Sequence, residues 1–274
     1  MLIGHHMNSQ YGIANAIRLI YQMGGNALQV CVSNLQETKV GKPLEQQDVT
    51  DTLALREKFG IYLVVHGKYV YNFCRITWAW QLKCLAFELE QAGRVNADLV
   101  IHQGKNLPEL FLTREEAIRN YVRQIESVLM DYPGQNRILL ENSCKQGNEL
   151  GSTVQELAEI YHLFLPEVRH RIGFCIDTCH IYVSGELDMQ PKSVLQFFNA
   201  FESLIGLDKL CLIHLNDSAV KFGGCNDHHA NLFQGFMPQN GLETFIRRCH
   251  HIPMILETPS IQIRTEIQSI KNLF

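Results

Sequence analysis

Eight short runs of apolar, largely β-branched residues recur along the chain: Leu2 to His6, Ala27 to Val32, Ile61 to His66, Asp98 to His102, Arg137 to Glu141, Arg171 to Asp177, Leu210 to His214 and Met254 to Glu257. Apolar residues are nearly continuous within each run, as expected of parallel strands buried on both faces. The segments between them repeat apolar residues at helical spacing. Ile13 to Ile20 is one such stretch, and Gly24-Gly25 just beyond it supplies a stop. Thr113-Arg114-Glu115-Glu116 and Thr153-Val154-Gln155-Glu156 both read as capping boxes that open helices. From His66 onward the ends of successive runs lie 36 to 43 residues apart, room for one strand, one helix and two loops. Eight such units close into a parallel barrel, whereas a doubly wound open sheet has fewer strands and often a glycine-rich first turn. No G-x-G-x-x-G follows the first run. The pattern predicts the α/β class and a single-domain (β/α)8 TIM barrel over residues 1–274.

Composition agrees with one domain. A chain of 274 residues that is 46% hydrophobic can bury a large core, and no Pro- or Ser-rich linker or low-complexity tract divides it. No apolar stretch approaches the roughly 20 residues of a membrane span. The start, Met-Leu-Ile-Gly-His-His-Met-Asn, lacks a basic segment followed by an apolar run. A soluble intracellular protein with no membrane partner and no secretion signal is therefore expected. Nine cysteines are an odd number without zinc-finger spacing, so they read as reduced thiols used mainly in packing. Cys175 and Cys179, which flank Asp177, read the same way.

Six of the eight runs finish on a residue of the candidate metal-ligand set: His66, His102, Glu141, Asp177, His214 and Glu257. Barrel topology brings these ends to one face, where active sites of this fold lie. Carboxylates gathered there need cations or protons to offset the cost of burial. Imidazole and carboxylate without thiolate suits zinc, manganese or iron better than magnesium. His180 stands three positions after Asp177, in the loop expected to follow that strand. In Asn226-Asp227-His228-His229, an extended backbone would point Asp227 and His229 the same way, so that with His180 they could hold one more metal. His5, His162, His170, His228, His250 and His251 stay outside this set. His6 also stays outside, although it ends the first run beside the expected site.

The stretches Ile176-Asp177-Thr178-Cys179-His180, His214-Leu215-Asn216-Asp217-Ser218, Asp227-His228-His229 and Leu256-Glu257-Thr258-Pro259 occur in this order and spacing. In them, and over nearly its whole length, the chain resembles the endonuclease IV family, family 2 of the apurinic/apyrimidinic endonucleases. The resemblance implies a zinc-dependent phosphodiesterase of DNA repair. Such an enzyme hydrolyses double-stranded DNA on the 5′ side of an abasic site and leaves a 3′-hydroxyl and a 5′-deoxyribose phosphate. It implies three zinc ions: one on His66, His102, Glu141 and Glu257, a second on Glu141, Asp177, His214 and Glu257, and a third on His180, Asp227 and His229. Glu141 and Glu257 are the implied catalytic carboxylates, and Tyr69, three residues after His66, is the implied DNA-stacking residue. Two departures stand out. The loop Ser33-Asn34-Leu35-Gln36-Glu37-Thr38 lacks the Arg and Trp that the family often pushes into the DNA stack, and Phe233 stands where a glycine is usual.

Two closely spaced metals can activate water and clamp an in-line displacement at phosphorus. An abasic nucleotide has no base to unstack, so extruding it costs less than flipping a paired one. The net charge of -4 argues against a polyanionic partner. Three divalent ions would outweigh the four ligand carboxylates locally. The loops after the strands add Lys39, Lys42, Lys68, Arg75, Lys105, Lys145 and Lys221, diluted by Glu37, Glu45, Glu109 and Glu149. The main rival is a sugar isomerase or epimerase on the same barrel, which needs one divalent metal held by Glu, Asp, His and Glu. A catalytically silent metal- or DNA-binding barrel is the other.

Overall fold

Strands β1 (Ile3–His6), β2 (Ala27–Cys31), β3 (Tyr62–His66), β4 (Asp98–Ile101), β5 (Ile138–Glu141), β6 (Ile172–Asp177) and β7 (Leu210–His214) pair in parallel, each with the next. A last strand, β10 (Met254–Leu256), lies between β7 and β1 and closes an eight-stranded barrel. The computed structural model describes residues 1–274, the side chain of Ser260 excepted. The architecture is the expected TIM barrel. Helices α1 (Ile13–Gln22), α2 (Gln46–Phe59), α3 (Ala79–Arg94), α4 (Arg114–Asp131), α5 (Val154–Leu163), the short α6 (Pro166–Arg169), α7 (Thr178–Val183), α8 (Pro191–Leu204), α9 (Gln239–Arg248) and α10 (Ile263–Lys271) accompany the strands. A two-stranded antiparallel piece, β8 (Asp217–Ser218) with β9 (His229–Ala230), sits in the long segment between β7 and α9.

The barrel interior is layered. Ala27, Val64, Val100, Leu139, Cys175, Leu212 and Ile255 form an inner apolar cluster, separate from the larger core between strands and helices. Side chains two apart on a strand share a face. The position two residues beyond each of these is Gln29, His66, His102, Glu141, Asp177, His214 and Glu257. On β1 the matching pair is Gly4 and His6. A side chain at Gly4 is impossible, since its Cβ would fall 1.5 Å from the carbonyl oxygen of Ala27. One apolar layer thus supports one polar layer at the C-terminal mouth.

Side-chain caps open α4 and α5. Thr113 accepts from Glu116 N while the Glu116 carboxylate accepts from Thr113 N at 2.8 Å, the full capping box expected for α4. At α5 only half of the expected box forms. Thr153 accepts from Glu156 N, but the Glu156 carboxylate turns to Gly151 N at 2.6 Å and to Arg114 Nε at 2.5 Å, tying the α4 and α5 starts together. All nine cysteines are unpaired thiols. Among the described residues no helix is long and apolar enough to cross a membrane.

Candidate metal centre

The carboxylate of Glu141 lies at the centre of the polar layer, almost fully buried. His214 Nδ1 is 3.0 Å from its Oε1, and His66 Nε2 and His102 Nδ1 are 3.3 and 3.6 Å from its Oε2. His214 Nδ1 also lies 3.3 Å from Glu257 Oε2 and 3.9 Å from Asp177 Oδ2. Burial by itself would raise the Glu141 carboxyl, yet the imidazoles of His102 and His214 hold it well below the usual range. The Asp177 carboxyl is pushed up by burial in spite of His180 and His229.

The second cluster is built by a helix start, not by the loop expected after β6. Asp177 caps α7, its Oδ1 accepting from His180 N at 2.9 Å, and that turn aims the His180 ring inward. The extended segment into β9 brings Asp227 and His229 alongside. His180 Nε2 is 3.2 Å from Asp227 Oδ2, and His229 Nε2 is 3.0 Å from Asp227 Oδ1 and 3.6 Å from Asp177 Oδ2.

The ring tautomers carry the chemical argument. His66 Nδ1 donates to Gly67 O at 2.8 Å, His180 Nδ1 to Asn142 O at 2.9 Å, His229 Nδ1 to Glu257 O at 3.2 Å and His214 Nε2 to Gln29 Oε1 at 2.8 Å. Each ring has one N–H anchored, so the other nitrogen turns a lone pair toward carboxylates. That arrangement is repulsive unless a cation or a second proton lies between them. His180 Nε2 and His229 Nε2 are buried and without a hydrogen-bond partner. With protons as the only cations, burial is overridden by Asp177 and Asp227, which raise His229 to about 9 and His180 well above its ordinary value. The residues therefore fit divalent metal.

Ligand atoms within 4.8 Å of one another fall into the groups His66, His102 and Glu141; Glu141, Asp177, His214 and Glu257; and His180, Asp227 and His229. Glu257, expected beside His66 and His102 as well, joins neither among the described residues. A further group, Asp177, Cys179 and His229, adds a thiol read from sequence as packing. Burial pushes the Cys179 thiol up to about 12, so in the metal-free protein it stays protonated.

The profile of the xylose isomerase-like TIM barrel family matches residues 17–273. A putative endonuclease 4 of Acanthamoeba polyphaga mimivirus is 32% identical over 273 residues, covering 96% of this chain and 87% of the relative. The chain belongs to the endonuclease IV family. The solved endonuclease IV of Thermus thermophilus superposes on it with a TM-score of 0.83 at 25% identity, covering 100% of this chain and 98% of that one. A D-tagatose 3-epimerase-like protein, TM-score 0.73 at 17% identity with 100% and 97% coverage, shares the barrel alone.

In this endonuclease IV family member the metal-ligand candidates other than the fully buried Asp177 and His214 line a cavity of about 490 Å³. Tyr69 is 48% exposed at its rim and stands edge-on to His66 and His102, with ring centroids 5.2 and 5.3 Å away. Its loop is tied to the loop after β2. Tyr69 N donates to Leu35 O at 3.1 Å, Lys68 Nζ donates to Asn34 O at 2.6 Å, and Ser33 Oγ and Tyr71 OH both donate to the buried Glu88. Lys68, counted among the rim lysines from sequence, is thus buried structure. Lys39, Lys42, Lys145 and Lys221 are exposed. Phe233 adopts φ +63, so the loop keeps the left-handed backbone that glycine favours. The buried Asp217 fixes that loop by accepting from Gly235 N at 2.9 Å and Met237 N at 3.1 Å.

Sequence reasoning missed Gln29 and Asn216, and left His6 outside. Gln29 Nε2 donates to Glu257 Oε1 at 2.7 Å and to His6 Nδ1 at 2.9 Å. Asn216 Nδ2 donates to Asp177 Oδ2 at 2.7 Å, and its Oδ1 accepts from Glu257 N at 2.8 Å. His5 lies beneath, its Nε2 donating to Thr258 O at 3.0 Å.

Proposed function

We propose that the protein is a zinc-dependent apurinic/apyrimidinic endonuclease, hydrolysing double-stranded DNA on the 5′ side of an abasic site. Family membership makes it a DNA-cleaving hydrolase. The observation that carries the finer reading is the presence of a third ligand group, His180, Asp227 and His229, beside the shared-carboxylate pair. His66, His102 and Glu141 would hold one zinc ion, Glu141, Asp177, His214 and Glu257 a second, and the third group a third. Ions bound there would make water acidic enough to attack near pH 7 and would offset charge on the phosphoryl oxygens.

The chain's own residues have distinct tasks. Glu141 is held ionised by imidazoles on both its oxygens and joins the first two groups. Glu257 is 15% exposed, so its carboxylate reaches the cavity, and Gln29 fixes its Oε1. Glu257, whose carboxyl is held below its ordinary range by His214 and His6 against the effect of burial, orients the attacking water by accepting a hydrogen bond. Tyr69 supplies an aromatic face at the rim against which a base beside the lesion stacks. An abasic nucleotide enters without unstacking a base, which favours damaged over intact DNA.

The reading is tested with zinc-loaded full-length protein and a duplex carrying one tetrahydrofuran abasic analogue, which cannot undergo β-elimination. A nick on the 5′ side leaving a polymerase-extendable 3′-hydroxyl is expected, with far slower cutting of the matched intact duplex. The epimerase reading needs only Glu141, Asp177, His214 and Glu257, and leaves the third group without a task. Interconversion of a ketose and its epimer, with no nicking, would establish it.

A further inference from the structure

Lys105 is the one lysine or arginine that lines the metal-site cavity among the described residues. The rest of the wall is imidazole, carboxylate, amide and phenol, a poor surface for a polyanion away from the metals. Lys105 follows β4, and Glu149 lies in the segment after β5. Their backbones form an isolated antiparallel bridge, flanked by Leu150 N donating to Gly104 O at 2.9 Å and Asn106 N to Asn148 O at 3.0 Å. On the other side Asn72 clamps the Lys105 backbone, its Oδ1 accepting from Lys105 N and its Nδ2 donating to Lys105 O, both at 3.0 Å.

The side chains are organised in the same way. Lys105 Nζ lies 2.9 Å from Glu149 Oε1. Glu149 Oε2 is held separately, by Gln146 N at 3.0 Å and Cys144 Sγ at 3.4 Å, so the carboxylate stays in place without the lysine. An ammonium has three donors, and among the described residues Lys105 spends one, on Glu149. Its side chain is 40% exposed toward the cavity. A recess of about 70 Å³ opens from the same wall at Gln103 and Glu149, lined also by Ser143, Cys144 and Gln146 and by the ligand candidates His102, His180 and Asp227. The Ser143 hydroxyl and the Gln103 side-chain carbonyl are buried there without partners. A half-exposed ion pair by itself adds little stability, so a preset ammonium with free donors beside an unused hydroxyl is better explained by a ligand.

We infer that Lys105 is a substrate-contacting residue that receives a backbone phosphate of the damaged strand, with Glu149 as the positioning residue that aims it. The inference rests on the endonuclease reading and deepens it. A lysine donates to phosphate as a point charge, so the contact strengthens binding of any sequence alike.

Lys105→Met and Glu149→Gln break the same ion pair, and comparing them separates the two roles. Zinc-loaded full-length variants would be assayed for nicking of the tetrahydrofuran duplex, and for binding to it by fluorescence anisotropy, between about 50 and 200 mM KCl. Lys105→Met should lower kcat/KM about 10-fold, chiefly through KM, and make the salt dependence of binding shallower by about one phosphate contact. Lys105→Arg should restore most of both. Glu149→Gln should leave the salt slope at the wild-type value, because the cation remains. Equal effects of Lys105→Met and Glu149→Gln, with both slopes unchanged, would overturn the inference and leave a loop-tying ion pair. Lys105→Gln gives the same comparison if the Met variant does not fold. Absence of nicking by the wild type would sink the endonuclease reading, whereas the anisotropy slopes report on Lys105 regardless of turnover.

Discussion

The side-chain carbonyl of Gln29 accepts from Nε2 of His214 at 2.8 Å, which leaves Nδ1 of that ring facing Glu141, Asp177 and Glu257. The amide's nitrogen holds Glu257 at 2.7 Å, so one residue on β2 orients two ligand candidates, one on β7 and one just after β10. Such orienting partners typically matter about 10–100-fold for metal affinity or activity. Gln29→Leu keeps the bulk and removes both hydrogen bonds, and we expect a loss in that range in chelator-competition titrations and in initial nicking rates. Metal affinity unchanged from wild type would show that His214 finds its tautomer without help.

In the metal-free protein His229 is a stabilising cation. Burial opposes its charge, but Asp177 and Asp227 raise its pKa from 6.5 to about 9. A group whose folded value is raised stabilises fully below its unfolded value and loses that contribution as pH rises through the folded one. Chelated protein should therefore lose on the order of 1–3 kcal/mol between about pH 6.5 and pH 9.5 from this group. The Asp227 carboxyl, depressed by the same contacts, belongs to the same interaction and is counted once. Zinc-loaded protein should not show this loss, because the cations replace the protons. Thermal melts of both forms across that pH range decide the matter, and parallel pH profiles would contradict it.

The barrel was legible because the apolar runs are nearly continuous and regularly spaced, and six ligand candidates were legible because they end those runs. Gln29 escaped for a specific reason. Its run continues apolar through Val30, Cys31 and Val32, so the polar layer there is marked by a mid-strand residue. Counting two positions from the inner residue Ala27, as from Val64 to His66 or Leu212 to His214, would have found it, and counting from Gly4 would have placed His6 in the same ring. The helical start of α7 was hidden for another reason: Asp177 reads as a strand end, yet it is also the cap that turns His180 inward. Lys68 shows the limit of composition, since a lysine on a loop is ordinarily solvated and this one is buried against Asn34 O.

Glu257→Gln tests the residue assigned to the attacking water. The amide oxygen can still accept from Gln29, and the backbone stays fixed by Asn216, so the fold should survive. What disappears is a charged acceptor, and general-base contributions of this kind amount to about 10²–10⁴-fold. Turnover on the tetrahydrofuran duplex should fall by that factor while anisotropy binding stays near the wild-type value. Cleavage within a few-fold of wild type would remove Glu257 from the mechanism.

Metal content separates the nuclease from the isomerase through the third ligand group. Zinc takes about four ligands, and the nine candidates with Glu141 shared supply three or four protein atoms to each of three sites. Fully loaded protein should therefore carry about three zinc ions per chain by elemental analysis. His180→Ala removes a ring whose Nε2 is buried without a hydrogen-bond partner and which sits 3.2 Å from Asp227. It should drop the content to about two ions and slow nicking strongly, although its ring also lies 3.4 Å from Glu141 Oε1. Asp227→Asn should lose the same ion, because both nitrogens that face Asp227 would then lack its charge. An isomerase holding one ion on Glu141, Asp177, His214 and Glu257 predicts a different result: about one ion per chain, unaffected by either substitution. One ion in a preparation that still nicks the abasic duplex would leave the nuclease standing and remove the three-metal arrangement from it.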